Sequence, residues 1–401
     1  VQAGSGYKIA SLSASAFVMV TANTMLFPIF PHMRRALDLD LRDISLLVLA
    51  VALPAAILSP IAGYLADLWG RKNVMIPSIV LYGLGGAFTG VFVLVLEHPF
   101  VPMVFSRVLQ GIGSAAPLYL AVVLAGDIFQ DEEARSGAMG VIETANGLGK
   151  VLSPIIGGVL GLLTWYAPFF FYPAVSLPVA IGLWLTIDEP PIEGPEESPA
   201  EAVGAFRELL NRSHVIALCA GLLSILCLYG VMFWIGEHFE EVLGGGTLVQ
   251  GLIISVPVAA LIATALVTHR LLDHLGFQVV LAGGLVLAGG AVGLLPLVAE
   301  SPMLWPTIVG VGVGAGVLLP TVDTVATAAA ARGHRGIVTT TFGSFRCFGA
   351  AAAPYLVGAL ISEGLAITFL PIAVLTVFLG LATLAFAREQ ELLPEGTGTS
   401  G

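Results

Sequence analysis

Five ionisable side chains stand inside long apolar stretches of this chain: Arg107, Glu143, Lys150, Asp323 and Arg346. A charge in hydrocarbon surroundings is expensive, so each marks a route for ions, protons or polar solutes unless it is locked in a pair. The chemistry on offer is the gain and loss of a proton. A carboxylate in a low-dielectric site holds its proton more tightly, and a neighbouring Arg reverses that effect. Separating such a pair changes protonation, which makes Glu143 and Asp323 the candidates for proton coupling. Arg107 and Arg346 would tune them. Glu143 and Lys150 are seven residues apart, hence on one helix face but about 10 Å apart along its axis, too far for direct contact. Lys150 and Arg346 fall near the middle of their stretches, and Asp323 lies at a depth from which it can reach Arg346. Three cations against two acids leave room for an anionic or zwitterionic substrate; alternatively Lys150 itself titrates. Ion pairs that only fix helix register remain the plainer reading.

The elements that carry these residues follow from composition. Hydrophobic residues make up 57% of 401 and charged residues 11%, with a mean hydropathy of +0.96. Soluble domains carry about 25% charge, so the solvent of this chain is largely lipid. A bilayer core takes about 20 apolar residues per helix. Breaks at charges, Pro and Gly give twelve spans, at roughly 9–30, 44–66, 74–96, 101–127, 136–162, 166–187, 213–236, 248–270, 278–299, 303–331, 336–361 and 365–387. The expected class is an all-α integral membrane protein, with six-helix bundles at 1–187 and 213–390. The polar segment 188–212 links them, and its last part, from Ala200 to Arg212, has the pattern of a short amphipathic helix at the membrane surface. Residues 391–401 read as a disordered tail, and no cleavable signal peptide is expected.

Lys and Arg set the orientation. With the N-terminus inside, Lys8, Arg71, Lys72, Arg135, Arg207, Arg212, Arg270, Arg332, Arg335 and Arg388 fall on the cytoplasmic side, and only Arg34, Arg35 and Arg42 fall outside. Both termini are therefore expected in the cytoplasm. The net charge of −11 points to no partner, because the acids concentrate in the linker and tail, and without a basic patch nucleic acid is not expected. Cys219, Cys227 and Cys347 sit in apolar runs without metal-ligand spacing and read as packing residues. No metal and no cofactor are expected.

The halves echo each other. Asp67-Leu-Trp-Gly70 returns as Asp273-His-Leu-Gly276, and Gly149, Pro154 and Gly158 return as Gly349, Pro354 and Gly358. Gly111 and Pro117 align with Gly314 and Pro320. Parallel repeats of this kind place a ligand site between the halves near the bilayer midplane, with access alternating as one half rocks against the other.

Three motifs sharpen this reading. Gly63-Tyr-Leu-Ala-Asp67-Leu-Trp-Gly70-Arg71-Lys72 follows the second span, Arg107-Val-Leu-Gln110-Gly111-Ile-Gly113-Ser-Ala115 lies in the fourth, and Gly149-Lys-Val-Leu-Ser153-Pro154-Ile-Ile-Gly157-Gly158 lies in the fifth. On these motifs the sequence resembles the major facilitator superfamily over nearly its whole length, and within it the twelve-span drug:proton antiporters. The resemblance implies a conformational latch of Gly63, Asp67, Gly70, Arg71, Lys72 and Asp127. In it Arg71 pairs with Asp127, and Asp67 accepts from backbone donors at a neighbouring helix N-terminus. The plain alternative is a tight loop with a positive-inside pair. The fifth-span motif implies close helix packing at Gly149, Pro154, Gly157 and Gly158, with Ser153 standing where the family has Gly. The first span carries no acid, only Thr21, Asn23 and Thr24, unlike several drug antiporters.

The implied function is alternating-access transport, led by proton-coupled export of amphipathic small molecules from the cell by a monomer in the cell membrane. The alternative is a carrier of organic or lipid-like anions with Lys150 and Arg346 as the anion site. The family's cavity positions fall on Asn23, Arg107, Tyr119, Lys150, Tyr229, Phe233 and Arg346, although any one aromatic can equally face lipid or a neighbouring helix. His32, Glu237 and His238 read as solvated residues at the outer rim. An enzyme would require clustered acids or a His/Ser constellation in a loop, and the sequence has neither.

Overall fold

The structure, a computed structural model, describes residues 5–129, 131–189, 211–243, 245–330 and 335–387. The helix expected within 200–212 and the tail at 391–401 lie outside these residues, apart from Asn211 and Arg212. The described residues are mostly helical, and no strand occurs among them. The helices are α1 Ser5–Thr24, α2 Phe30–Leu37, α3 Leu41–Trp69, α4 Arg71–Val95, α5 Phe100–Ser114, α6 Pro117–Ile128, α7 Glu132–Leu163 and α8 Ala167–Thr186. They continue as α9 Arg212–Leu243, α10 Thr247–Leu275, α11 Phe277–Val298, α12 Leu304–Ala330, α13 Arg335–Leu360 and α14 Leu365–Phe386.

Among the described residues, eleven stretches are long and apolar enough to cross a bilayer, with α5 and α6 counted together. The remaining long helix, α1, has 20 residues but carries Lys8 and repeated Ser and Thr. It packs against α6, α7 and α8. A helix that faces protein rather than lipid does not need a fully apolar surface. Elsewhere large apolar side chains such as Leu163, Trp184, Leu266, Leu297 and Phe378 stand exposed, a surface that lipid rather than water solvates.

Two predicted spans are broken. The first ends at Thr24; a short turn at Phe27–Ile29 and α2 follow, with Pro28 and Pro31 in the opening turns, where a missing N–H costs nothing. The fourth divides at Ala115 and Ala116, just before Pro117. Pro117 lacks the N–H that a continuous helix would direct at the Gly113 carbonyl, and at the break the Ala115 carbonyl accepts from Ser59 Oγ at 2.8 Å. Side-chain caps fix other starts: Asp40 and Asp43 form a capping box at α3, and Asp131 accepts from the Ala134 N–H at 2.9 Å at α7.

The chain forms two compact units. One comprises Val1–Glu196 with Ile235–Ser255, the other Glu197–Trp234 with Val256–Gly401. Segment 235–255 joins the first unit through specific contacts. Thr247 Oγ1 donates to the Gly158 carbonyl at 2.7 Å, and Ser255 Oγ to the Val151 carbonyl at 2.9 Å.

Within each unit one helix packs against two others in the same way. In the first unit α4 packs on α5 and α8; in the second α11 packs on α12 and α14. Glycines set the close approach. A Cβ on Gly113 would collide with the Tyr82 backbone of α4, and one on Gly314 would lie 2.7 Å from the Ala288 backbone N of α11. Gly111 is set against the Val51 carbonyl of α3 and Gly312 against the Pro257 carbonyl of α10. The repeat therefore aligns Gly111 with Gly312 and Gly113 with Gly314, two residues away from the Gly111–Gly314 alignment read from the sequence. With glycines at 310, 312, 314 and 316, spacing alone does not fix the register.

Candidate functional site

The turn between α3 and α4 brings together four of the residues expected to form a latch. Gly70 adopts φ 95°, open to glycine but strained for other residues. Arg71 opens α4, and its guanidinium forms a close ion pair with Asp127 at the end of α6 and lies 3.6 Å from Asp67, one turn back. All three side chains are partly exposed. Lys72 turns the other way: its ammonium donates to the carbonyls of Trp184 at 3.0 Å and Ile187 at 2.5 Å, at the C-terminal end of α8. Gly63 lies within α3, two turns before Gly70.

A second cluster is buried inside the first unit. Arg107 of α5 is 3% exposed and donates to Gln110 Oε1 at 2.5 Å, with its Nε 3.5 Å from the Leu47 carbonyl. Its charge also acts on the phenols of Tyr172 and Tyr82. The two tyrosine rings meet edge-on at 5.4 Å, and Tyr82 Oη donates to the Val18 carbonyl at 3.1 Å. Among the described residues no carboxylate pairs with Arg107. The guanidinium is held by neutral acceptors only.

Helix α7 carries the fifth-span residues. Its glycines face two neighbours: a Cβ on Gly149 would meet Val20 and Phe17 of α1, one on Gly157 the Met25 carbonyl, and one on Gly158 the backbone of Thr247 and Leu248. Ser153 does more than keep the contact small. Its hydroxyl donates to the Thr21 carbonyl at 3.1 Å and accepts from Thr24 Oγ1 at 2.9 Å. Pro154 lies inside the helix. On the same helix Glu143 is exposed and accepts from Asn146 Nδ2 at 3.1 Å, while Lys150 is half-buried.

In the second unit the structure joins Asp323 of α12 to Arg346 of α13. Arg346 Nη2 lies 2.6 Å from Asp323 Oδ1 and 3.4 Å from the Leu319 carbonyl. The Asp323 side chain stays 59% exposed while paired. It lies seven residues before the end of α12, about 10 Å along the axis. Of the remaining cavity candidates, Tyr119 on α6 and Tyr229 on α9 are half-buried, and Phe233 is buried beside Trp234, whose ring packs on Phe369 at 5.8 Å. The Asn23 side chain lies outside the described residues.

These motifs and their packing agree with the comparison to known proteins. The family model of the Major Facilitator Superfamily matches residues 12–354, with a second, overlapping match at 235–398. The chain belongs to this superfamily. It is a multi-pass membrane transporter of small molecules, not an enzyme. A relative named the bacillibactin exporter of Bacillus subtilis is 29% identical over 400 residues, covering 97% of this chain and 99% of that one. The multidrug efflux protein YfmO of the same organism is 24% identical, covering 90% and 88%. The crystal structure of a bacterial homologue of the human lysosomal transporter Spinster, inward-facing and unoccupied, matches with a TM-score of 0.74 at 17% identity, covering 96% of each chain. That likeness concerns the fold.

Sequence reading of this superfamily member missed two groups. Glu189, just after α8, accepts from the backbone N–H of Arg71 at 2.8 Å and of Asn73 at 3.2 Å. Glu237 is no solvated rim residue: its side chain is 13% exposed and pairs with Arg34 at 2.5 Å, while Glu240 pairs with Arg35 at 2.5 Å and accepts from Gln250. Partners about two hundred positions apart leave no local signal. Glu189 left a faint one, a carboxylate directly after a span.

Proposed function

We propose that this transporter exports amphipathic small molecules from the cell in exchange for protons, working as a monomer in the cell membrane with both termini in the cytoplasm. The Asp323–Arg346 pair carries this reading. The Asp323 carboxylate lies 2.6 Å from the Arg346 guanidinium, an ion pair that helix motion can separate. Drawn away from Arg346 into less polar surroundings, it takes up a proton, and it gives the proton back when the pair re-forms. Its partial exposure supplies the access such exchange requires. Glu143 is the second acid, tied to Asn146. Relatives named as exporters support the direction of transport.

In this reading Tyr119, Lys150, Tyr229 and Arg346 contact the substrate, whereas Arg107 and Phe233 are buried and stand behind the walls of the cavity. The six-helix bundles 1–187 and 213–390 rock about it, and Gly63, Asp67, Gly70, Arg71, Lys72 and Asp127 form the latch that holds one state. The anion-carrier reading asks Lys150 and Arg346 to share an anion, and Asp323 already balances Arg346.

Reconstitution in liposomes with an imposed pH gradient tests the assignment, with ethidium as a lipophilic cation and fluorescein as an organic anion. The expected result is ethidium flux coupled to proton movement and lost in Asp323→Asn. Flux unchanged in both Asp323→Asn and Glu143→Gln would remove the coupling assignment. Anion flux abolished by Lys150→Ala, without any ethidium flux, would establish the alternative.

A further inference from the structure

Helices α4 and α8 exchange caps across the latch. The first four N–H groups of a helix and its last four carbonyls lack partners within the helix. At the start of α4, the N–H groups of Arg71 and Asn73 are taken by the two carboxylate oxygens of Glu189, at 2.8 and 3.2 Å. At the end of α8, the carbonyls of Trp184 and Ile187 are taken by Lys72, which belongs to the first turn of α4. Each helix end supplies the charge that the other helix's dipole favours. Asp188, next to Glu189, adds a contact with Lys8 at 3.4 Å.

The fit around Glu189 is close. A Cβ on Gly70 would lie 2.7 Å from Glu189 Cδ and 2.8 Å from its Oε1. Gly70 thus serves two needs at once, a positive φ and room for this carboxylate. The residue that Glu189 grips by its backbone, Arg71, is the one whose side chain reaches both Asp67 and Asp127.

We propose that Glu189 is a positioning residue of the latch: by holding the first N–H groups of α4 it fixes where the Arg71 guanidinium stands relative to Asp127. The inference rests on the latch reading above. It also gives the start of the 188–212 segment a function, since Glu189, three residues beyond the end of α8, holds the turn on which the latch is built. Glu189 touches no substrate and acts through Arg71.

A double-mutant cycle in liposomes tests it, with ethidium as the transported probe. Glu189→Ala is expected to lower turnover roughly fivefold, the scale of one lost charge-assisted hydrogen-bond pair, with KM unchanged. In an Arg71→Ala background the same substitution is expected to change turnover less than about twofold, because residues acting through one another are not additive. Glu189→Gln, which keeps an acceptor oxygen, is expected to restore part of the loss. Hydrogen exchange at residues 70–74 should rise in Glu189→Ala, less so in Glu189→Gln. Wild-type turnover in Glu189→Ala, or losses that multiply independently in the double variant, would overturn the role of Glu189 and leave the latch standing. Wild-type turnover in Arg71→Ala would overturn the latch itself. If Glu189→Ala does not accumulate, Glu189→Gln with unaltered exchange at 70–74 and unaltered turnover overturns the proposal equally.

Discussion

Between α3 and α4 the chain reverses at Gly70, φ 95°, and between α10 and α11 it reverses at Gly276, φ 76°. The backbone hydrogen bonds agree to the first decimal. Gly70 N–H donates to the Ala66 carbonyl and Gly276 N–H to the Leu272 carbonyl, both at 3.0 Å. Val74 N–H returns to Gly70 and Val280 N–H to Gly276, both at 3.2 Å. The side chains that follow differ in kind. After Gly70 come Arg71, ion-paired with Asp127, and Lys72 on the α8 carbonyls. After Gly276 come Phe277, 2% exposed within the apolar core of the second unit, and Gln278, whose amide donates to the carbonyls of Thr383 at 3.1 Å and Leu384 at 2.7 Å at the end of α14. One backbone design thus has two kinds of fastening. Partly exposed charges can part and re-form at small cost, whereas a buried ring cannot leave its core cheaply. On the proposed latch reading, the first turn supplies the contact that breaks in each cycle and the second the contact that stays closed.

The comparison breaks most sharply at its anchors. Phe277→Ala should lower stability in detergent by about 3 kcal/mol, as buried aromatic truncations do, read as a large fall in melting temperature with weakened transport following from it. Arg71→Ala should do the reverse. An exposed ion pair contributes up to about 1 kcal/mol to folding, so melting should hardly move. A shift of about 1.4 kcal/mol between transport states nevertheless changes their ratio roughly tenfold, and turnover should fall by that order. If Arg71→Ala melts early or Phe277→Ala melts at the wild-type temperature, the division between the two turns is wrong.

The glycines come next. Substitution by Ala places a Cβ in a positive-φ conformation, costing about 1–2 kcal/mol at either turn. At Gly70 the Cβ also meets Glu189, so Gly70→Ala should slow turnover beyond its effect on melting. Turnover that falls no further than the change in melting accounts for would show that the Glu189 contact adds nothing.

Much of this arrangement was legible in the chain. Asp-x-x-Gly at 67–70 and 273–276 marked both turns, because positive φ selects glycine and spans end where charge and glycine meet. Most of the long apolar helices were found near their observed limits, since hydropathy states the solvent directly. The breaks at Pro28 and Pro117 were harder: proline is tolerated in membrane helices when other groups satisfy the freed backbone, so its presence alone did not say that α5 and α6 separate. Pairs such as Arg34–Glu237 depend on residues brought together only by packing. The caps on α4 and α8 were hidden because Lys72 read as a positive-inside residue and a member of the latch, and Glu189 as the start of an acidic linker. Each is a helix cap, which only the neighbouring helix end reveals.

The smallest effect is the most direct test of the repeat. Lys72 and Gln278 do the same work, each donating to the last carbonyls of the neighbouring helix, one with a charge and one without. A cation near a helix C-terminus contributes about 0.3–1 kcal/mol beyond a neutral donor, and salt screens the difference. Gln278→Lys should therefore raise stability by that amount at low ionic strength, because the Thr383 and Leu384 carbonyls are already placed to receive the donor. Lys72→Gln should lower it by a similar amount, and at high salt both differences should shrink. Melting in paired low- and high-salt buffers measures this. The two shifts need not be mirror images, since Lys72 stands one residue from Arg71 and its replacement also relieves like-charge repulsion, which trims the loss at that turn alone. A Gln278→Lys variant that melts lower than the parent would mean that the second turn is fastened by the fit of the amide between two carbonyls, and that the charge of Lys72 belongs to the latch rather than to the fold.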